Sequence, residues 1–307
     1  MSRLTVFLGV RRLYRKPDKA AMSDFASFRP FLTLASSGST LSICAAVNGL
    51  CFGGGMSAVF EFNGPHRTML LTGASRGIGH ATVRLFYESG WRVLTLSRAP
   101  FTSDCPWPGG QENHIQGDLS DATSYASLAE EIRRRLGGTG LYAIVNNAAV
   151  SPKLPSGARM DISHTQHEDW VSVFNVNLFS AAMLSRLLLP ELKATQGAIV
   201  NVTSIVGSRV HPFAGAAYAC SKAALSALTR EQAFEFGAFG IRVNAVAPGE
   251  IDTSILSPGT EEIVKSDIPM KRLGAPDEVA RVILFLCSNE ASYINGAEIH
   301  VNGGQHV

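Results

Sequence analysis

Thr68-Met69-Leu70-Leu71-Thr72-Gly73-Ala74-Ser75-Arg76-Gly77-Ile78-Gly79 decides the fold of this chain. Its opening residues, Thr68 to Leu71, form a short apolar run that reads as a buried strand. Ile78 to Glu88 continues beyond the glycines at helical spacing. A glycine-rich turn between a strand and a helix is the setting that a dinucleotide's pyrophosphate requires. Gly73 allows the tight turn, Gly77 lets the backbone approach the anion, and Gly79 permits close packing of the helix, whose N-terminus attracts negative charge. Ser75, Arg76 and Ile78 share that turn and are expected among the cofactor contacts.

Outward from this turn, short runs rich in β-branched residues alternate with amphipathic stretches of helical length. Trp91 to Leu96, Leu141 to Val145, Ala198 to Val202, Ile241 to Val246 and Glu298 to Val301 read as strands. Ala126 to Leu136, the two long segments His167 to Leu192 and Ala216 to Phe236, and a stretch near Asp277 to Cys287 read as helices. The alternation predicts an α/β protein of Rossmann type: a doubly wound parallel sheet of about seven strands with helices on both faces. Arg133, Arg134 and Arg135 read as a solvated, dipole-favoured helix end. No repeat or linker interrupts residues 56–307, which are expected to form a single domain.

With 307 residues, 46% of them hydrophobic, and a mean hydropathy of +0.12, the chain can bury a sizeable core. Its 27 basic and 25 acidic residues leave a formal charge of +2, so neither nucleic acid nor an acidic polymer is expected as a partner. Five scattered cysteines (Cys44, Cys51, Cys105, Cys220, Cys287) show neither disulfide nor metal spacing, which points to a reducing cytoplasm and no metal. Cys220 reads as a small helix residue, since no basic partner adjoins it.

The first 55 residues read differently. Arg3, Arg11, Arg12, Arg15 and Lys16 precede the first acid, Asp18. Pro30 to Phe60 then carries no charge, but glycine, serine and asparagine dilute it too much for a membrane span to be expected. Ala45 to Gly55 resembles the oxyanion-hole segment of crotonase-fold enzymes over eleven residues only. There is no room before Arg67 for the extra domain such an enzyme needs, so no second activity is expected. Residues 1–55 are expected to be a disordered extension or an over-long start, with Met56 a natural beginning.

Tyr218 and Lys222 stand four apart and therefore share a helix face, 14 residues or more beyond Ser204. An ammonium at 222 beside a phenol at 218 favours the phenolate, which lets a group with a reference pKa near ~10 move a proton near neutral pH. The second strand ends on Ser97-Arg98, where NAD-selective domains present an Asp or Glu. Arg76 and Arg98 could together grip a 2′-phosphate, which predicts NADP(H) as the preferred cofactor with NAD(H) still possible; Arg98 could instead stack on adenine or face solvent. Asp118-Leu119 is placed to meet the adenine. In Asn146-Asn147-Ala148-Ala149, Asn146 is expected on the ribose side and Ala148 against the cofactor, with Asn147 tying strands together or touching the cofactor. Asn175-Val176-Asn177 falls mid-helix, where asparagine is a poor helix former, and predicts a polar kink or water site.

Taken together, TGxxxGxG at 72–79, Asp118, NNAA at 146–149, Asn177, Ser204, Tyr218, Lys222, and Pro248-Gly249 with Thr253 resemble the classical short-chain dehydrogenases/reductases over residues 56–307. The resemblance implies Tyr218 as general acid in carbonyl reduction and base in alcohol oxidation, with Ser204 holding the substrate oxygen. It implies that Lys222 binds the nicotinamide ribose and depresses the Tyr218 pKa, and that Asn177 holds a water leading to Lys222. Pro248, Gly249, Ile251 and Thr253 would lie at the nicotinamide, and no metal is required. NNAA replaces the more usual NNAG, which Ala149 tolerates if its φ stays negative.

Val150 to Asp161, Ile205 to Tyr218 and Glu250 to Lys271 are expected to wall the pocket. Pro152, Pro155, Met160, Val206, Phe213, Ile255 and Leu256 make it mainly apolar, and His211 is either a substrate contact or a loop cap. Arg230, Glu231, Gln232 and Glu235, with Lys193 as a lone cation, suit a carrier protein poorly, so a small-molecule carbonyl or alcohol is the first reading. The alternatives are a 3-oxoacyl-carrier-protein reductase and a non-catalytic NADP(H) sensor. A homotetramer paired through the two long helices is implied by the resemblance alone.

Overall fold

A computed structural model of the chain describes residues 67–101, 109–253, 256 and 259–307, together with two short strands near the start. Those strands, β1 (Thr33–Ser36) and β2 (Leu41–Cys44), pair antiparallel and belong to a unit separate from Phe62–Val307. Otherwise the expectations for residues 1–55 fall outside the described residues.

The larger unit is built on seven parallel strands: β3 (Thr68–Thr72), β4 (Arg92–Ser97), β5 (His114–Gln116), β6 (Leu141–Asn146), β7 (Ala198–Val202), β8 (Arg242–Pro248) and β9 (Glu298–Val301). Their order across the sheet is β5-β4-β3-β6-β7-β8-β9. The chain therefore runs outward from β3 in one direction, returns, and runs outward in the other. The point of reversal lies between β3 and β6.

The two-residue period of a strand divides the core. Met69 and Leu71 of β3 face one side with Ala143, Val145 and Val200, and Leu70 faces the other with Ile144 and Ile199. The first set is covered by α1 (Gly77–Glu88) and α8 (Pro276–Cys287) through Val83, Phe86, Val279 and Ile283. The second is covered by α2 (Tyr125–Leu136), α4 (Ser180–Leu187) and α6 (Ala216–Gly237) through Leu128, Ile132, Leu184 and Phe236. Because both faces of β3 and β7 are sealed, all five residues of each are buried, which is why these strands read as largely apolar runs rather than alternating ones.

The expected long helix His167 to Leu192 is three pieces. α3 (His167–Phe174) passes into a π-helical turn, Asn175–Phe179, before α4 begins, and a 62° bend separates α4 from α5 (Leu189–Thr195). The wide turn sits on the two asparagines. Asn175 donates to the Ser120 carbonyl at 2.7 Å, and its own carbonyl accepts from the Tyr125 hydroxyl at 3.0 Å. The bend coincides with Pro190, which cannot donate and clashes with the preceding turn.

Arg133 is more than a solvated cation. Its guanidinium donates to the Leu187 carbonyl at this bend and pairs with Glu191 at 2.6 Å, while Arg135 donates to the Glu112 carbonyl. One further helix, α7 (Thr260–Ser266), stands in the segment where only pocket wall is expected from sequence. Among the described residues no single helix is long and apolar enough to cross a membrane.

Candidate active site

The reversal of strand order leaves a crevice at the carboxyl ends of β3 and β6, the place where open α/β sheets receive ligands. It opens into a cleft of about 860 Å³. Gly73, with φ +73°, starts its floor, and a Cβ there would stand 2.7 Å from Ala148 Cα. Gly77 has φ +55°, and a Cβ at Gly79 would stand 2.0 Å from the Gly73 carbonyl oxygen, so only glycine fits at the start of α1. This cradle, opening onto a helix N-terminus, fits a pyrophosphate.

Asn147 secures the cradle from the side. Its Nδ2 donates to the carbonyls of Thr72 (3.1 Å) and Gly73 (2.8 Å), while the Thr72 hydroxyl accepts from the backbone N–H groups of Asn147 and Ala148. Ala149 keeps a negative φ, since the non-glycine residues with positive φ among those described are Gln196 and Lys271. Arg76 and Arg98 are both exposed on the wall that ends in Ser97 and Asp118. The Asp118 carboxyl is held below its ordinary pKa, first by the Ser120 backbone N–H and in smaller part by the Arg98 charge. Arg98 therefore already has an anionic neighbour.

At the other end, Gly215 precedes α6, which carries Tyr218 and Lys222 on one face. Ser204 follows β7 in extended conformation; its hydroxyl accepts from the Val206 N–H at 3.4 Å, and its influence on Tyr218 favours the phenolate. Burial acts more strongly the other way and, with the Glu250 charge, pushes the Tyr218 phenol up to about 12. Lys222, 1% exposed, donates to the Val202 carbonyl at 2.6 Å, lies 5.7 Å from the Tyr218 ring centroid, and is brought down to about 7 by burial. The expected depression of the phenol by Lys222 is thus reversed: desolvation penalises both charged forms more than their proximity helps.

Seventeen of the eighteen expected cofactor contacts line this cleft, as does Ser204: Gly73, Ser75 to Gly79, Ser97, Arg98, Asp118, Leu119, Ala148, Tyr218, Lys222, Pro248, Gly249, Ile251 and Thr253 lie on its walls. Asn146 does not. It is the last residue of β6, and the pleat turns its side chain toward α6, where Nδ2 donates to Asn201 Oδ1 at 2.8 Å. Asn177 is also off the cleft. Its Oδ1 accepts from the Val150 N–H at 2.8 Å, and its Nδ2 donates to the Val150 carbonyl and to Ser221 Oγ, both at 3.0 Å. It ties the loop after β6 to the helix turn that holds Lys222.

The substrate end is more polar than expected. Val206, His211, Phe213 and Leu256 line it, whereas Pro152, Pro155 and Met160 stand outside the main cleft, and Ile255 lies outside the described residues. Lys153 and Glu250 fall in segments expected to wall the pocket but were not named among its lining side chains. The position of Glu250 directly after Pro248-Gly249 was the signal available for it; for Lys153 there was none beyond its place in the loop after Ala149.

Fold and cleft together define the class: a doubly wound α/β protein of Rossmann type with its crevice at the strand reversal. Residues 73–306 match the sequence family described as "Enoyl-(Acyl carrier protein) reductase". The chain is 55% identical over 245 residues to Protein FixR of Bradyrhizobium diazoefficiens, covering 80% of this chain and 88% of that protein. It is 35% identical to the 3-oxoacyl-[acyl-carrier-protein] reductase FabG of Thermotoga maritima, covering 78% and 97%. A crystal structure of a Brucella ovis oxidoreductase of the short chain dehydrogenase/reductase family, in complex with a partially ordered NAD, superposes with a TM-score of 0.68 at 53% identity, covering 77% of this chain and all of that one. This chain belongs to the short-chain dehydrogenase/reductase family and is an oxidoreductase of that class.

Proposed function

We propose that the protein is an NADP(H)-preferring oxidoreductase that interconverts a carbonyl and a secondary alcohol on a small molecule, with Tyr218 as its general acid and base. The observation that carries this reading is that Ser204, Tyr218 and Lys222 line the same cleft as the glycine cradle. When bound, the dinucleotide supplies or accepts the hydride at the substrate carbon. Ser204 and Tyr218 hold the substrate oxygen. In reduction the proton leaves Tyr218 Oη for that oxygen, and in oxidation it returns. A phenol pushed up to about 12 is protonated at neutral pH, the form reduction needs. Lys222 is placed to reach ribose hydroxyls from the cleft floor, and Asn177 holds the neighbouring helix turn in register.

Arg76 and Arg98, with no Asp or Glu at the end of β4, support NADP(H) over NAD(H). The NAD in the Brucella ovis structure supports the alternative. A second reading, reduction of 3-oxoacyl groups on a carrier protein, is favoured by the FabG relatives. We assign residues 56–307 to the catalytic domain, a homotetramer paired through α4 and α6 as the assembly, and the cytoplasm as the location.

The test is binding of NADPH and NADH to the purified protein, followed by absorbance at 340 nm with a panel of ketones and alcohols. NADPH-selective binding with turnover is expected. Tighter NADH binding would overturn the roles given to Arg76 and Arg98, and binding without turnover would favour a sensor.

A further inference from the structure

Ser204 and Tyr218 have to hold one substrate oxygen between them, yet they stand on different elements: Ser204 beyond the end of β7, Tyr218 and Lys222 on α6. The seam between these elements is stitched at successive residues. Asn201 Nδ2 donates to Thr229 Oγ1 at 2.9 Å, and Lys222 Nζ donates to the Val202 carbonyl at 2.6 Å. Beyond Ser204, a Cβ at Gly207 would stand 3.0 Å from the Ala223 backbone nitrogen, so the turn lies directly on the helix. Thr203, the buried neighbour of Ser204 on the cleft wall, is joined to α6 through a side chain from a third element. Its hydroxyl donates to Glu298 Oε1 at 2.6 Å, and the Ser226 hydroxyl, one helical turn past Lys222, donates to Glu298 Oε2 at 3.0 Å. Ser226 Oγ in turn accepts from Arg230 Nη1 at 3.2 Å.

Glu298 opens β9, the last strand of the sheet, and pairs opposite Ala245 of β8 through backbone that any residue could supply. Its carboxylate is not needed for that pairing. An acceptor with one oxygen for each of two hydroxyls is what the bridge needs, and bonds to a charged acceptor are the stronger kind. Without the carboxylate, the Thr203 hydroxyl still has the Val246 carbonyl at 3.0 Å and Ser226 still has Arg230. Losing the bridge therefore frees the seam without stranding its hydroxyls, and the effect falls on geometry. We propose that Glu298 is a positioning residue for proton transfer: by bridging Thr203 and Ser226 it fixes Ser204 against Tyr218, and it governs turnover while touching neither substrate nor dinucleotide. The inference rests on the assignment of Ser204 and Tyr218 to the substrate oxygen.

The test uses the full chain with NADPH and 2-butanone. Glu298→Leu is expected to lower kcat about 10- to 100-fold, with KM and the NADPH Kd, read from nicotinamide fluorescence, within about twofold of the parent. Glu298→Gln, which accepts from one hydroxyl and donates to the other, should restore most of the loss. Ser226→Ala should lower kcat by itself yet add nothing to Glu298→Leu, because both act through one bridge. Thermal melts identify a variant that fails to fold; if Glu298→Leu does, Ser226→Ala carries the comparison. An unchanged kcat in the folded variant, a loss confined to KM or NADPH affinity, or additive losses would overturn the bridge. Absence of ketone turnover in the parent would overturn the reductase reading alone. The bridge is then read by NMR of the NADPH complex labelled at tyrosine Cζ, from the resonance that Tyr218→Phe removes. Displacement of that resonance by Glu298→Leu and its return in Glu298→Gln support the bridge, and an unmoved resonance overturns it.

Discussion

Tyr218 occupies a position where burial, a serine hydroxyl and a carboxylate compete over one proton. Replacing it by phenylalanine removes the proton and little volume. Tyr218→Phe is expected to lower kcat by about 10²–10⁴-fold while leaving NADPH affinity nearly unchanged, a split that steady-state kinetics beside a binding titration resolves. The Glu250 charge raises the Tyr218 pKa, so Glu250→Gln should move the alkaline limb of the kcat/KM profile with 2-butanone to lower pH; a limb that stays in place would show that Glu250 is too well screened to matter. The identities of Ser204, Tyr218 and Lys222 were legible because their order and spacing are local facts of the chain. The sign of the tyrosine's shift was not, since desolvation depends on everything packed around the phenol. Asn146 shows the same limit on a smaller scale: one position along a pleated strand decides between the cleft and the interior.

The glycine turn and the broken helix are the two elements on which the site rests. At Gly79 an added methyl meets a backbone oxygen of its own turn, which no side-chain adjustment relieves. Gly79→Ala should cost about 1–3 kcal/mol of stability and loosen dinucleotide binding, both measurable by urea denaturation with and without NADPH. Arg133→Ala strips the Leu187 carbonyl and Glu191 of their guanidinium partner at the α4–α5 bend and should cost about 1–3 kcal/mol, read from the same denaturation midpoint. The strands and α6 were legible from apolar runs and helical spacing. The π-helical turn was foreshadowed only as a kink at two asparagines. The bend at Leu188 was missed, because apolar periodicity continues across it and Pro190 was not weighed as a breaker.

Across the whole molecule, the buried lysine ties the cleft to stability. Lys222 falls from an ordinary 10.5 to about 7 in the folded protein, so between those values the unfolded chain binds more protons than the native one. This group therefore makes native stability rise with pH across that window and penalises the fold below it. The stability of Lys222→Met relative to the parent should be greatest below pH 7 and decline toward pH 10.5, as followed by thermal melts; a pH-independent difference would refute a buried, partly neutral lysine. The doubly wound architecture itself was legible at this scale, because an alternation of strands and helices admits few topologies. The wide turn at Asn175–Phe179 also decides what a gap in the chain would do. Deleting one residue there would return the turn to ordinary α-helical winding with little change of phase beyond it, because the wide turn holds one residue more than an α-helical turn, but it would break the link from Asn177 to Val150 and Ser221. A gap here would therefore spare the core packing of Leu184 and fall on the cleft alone, through the helix turn that holds Lys222.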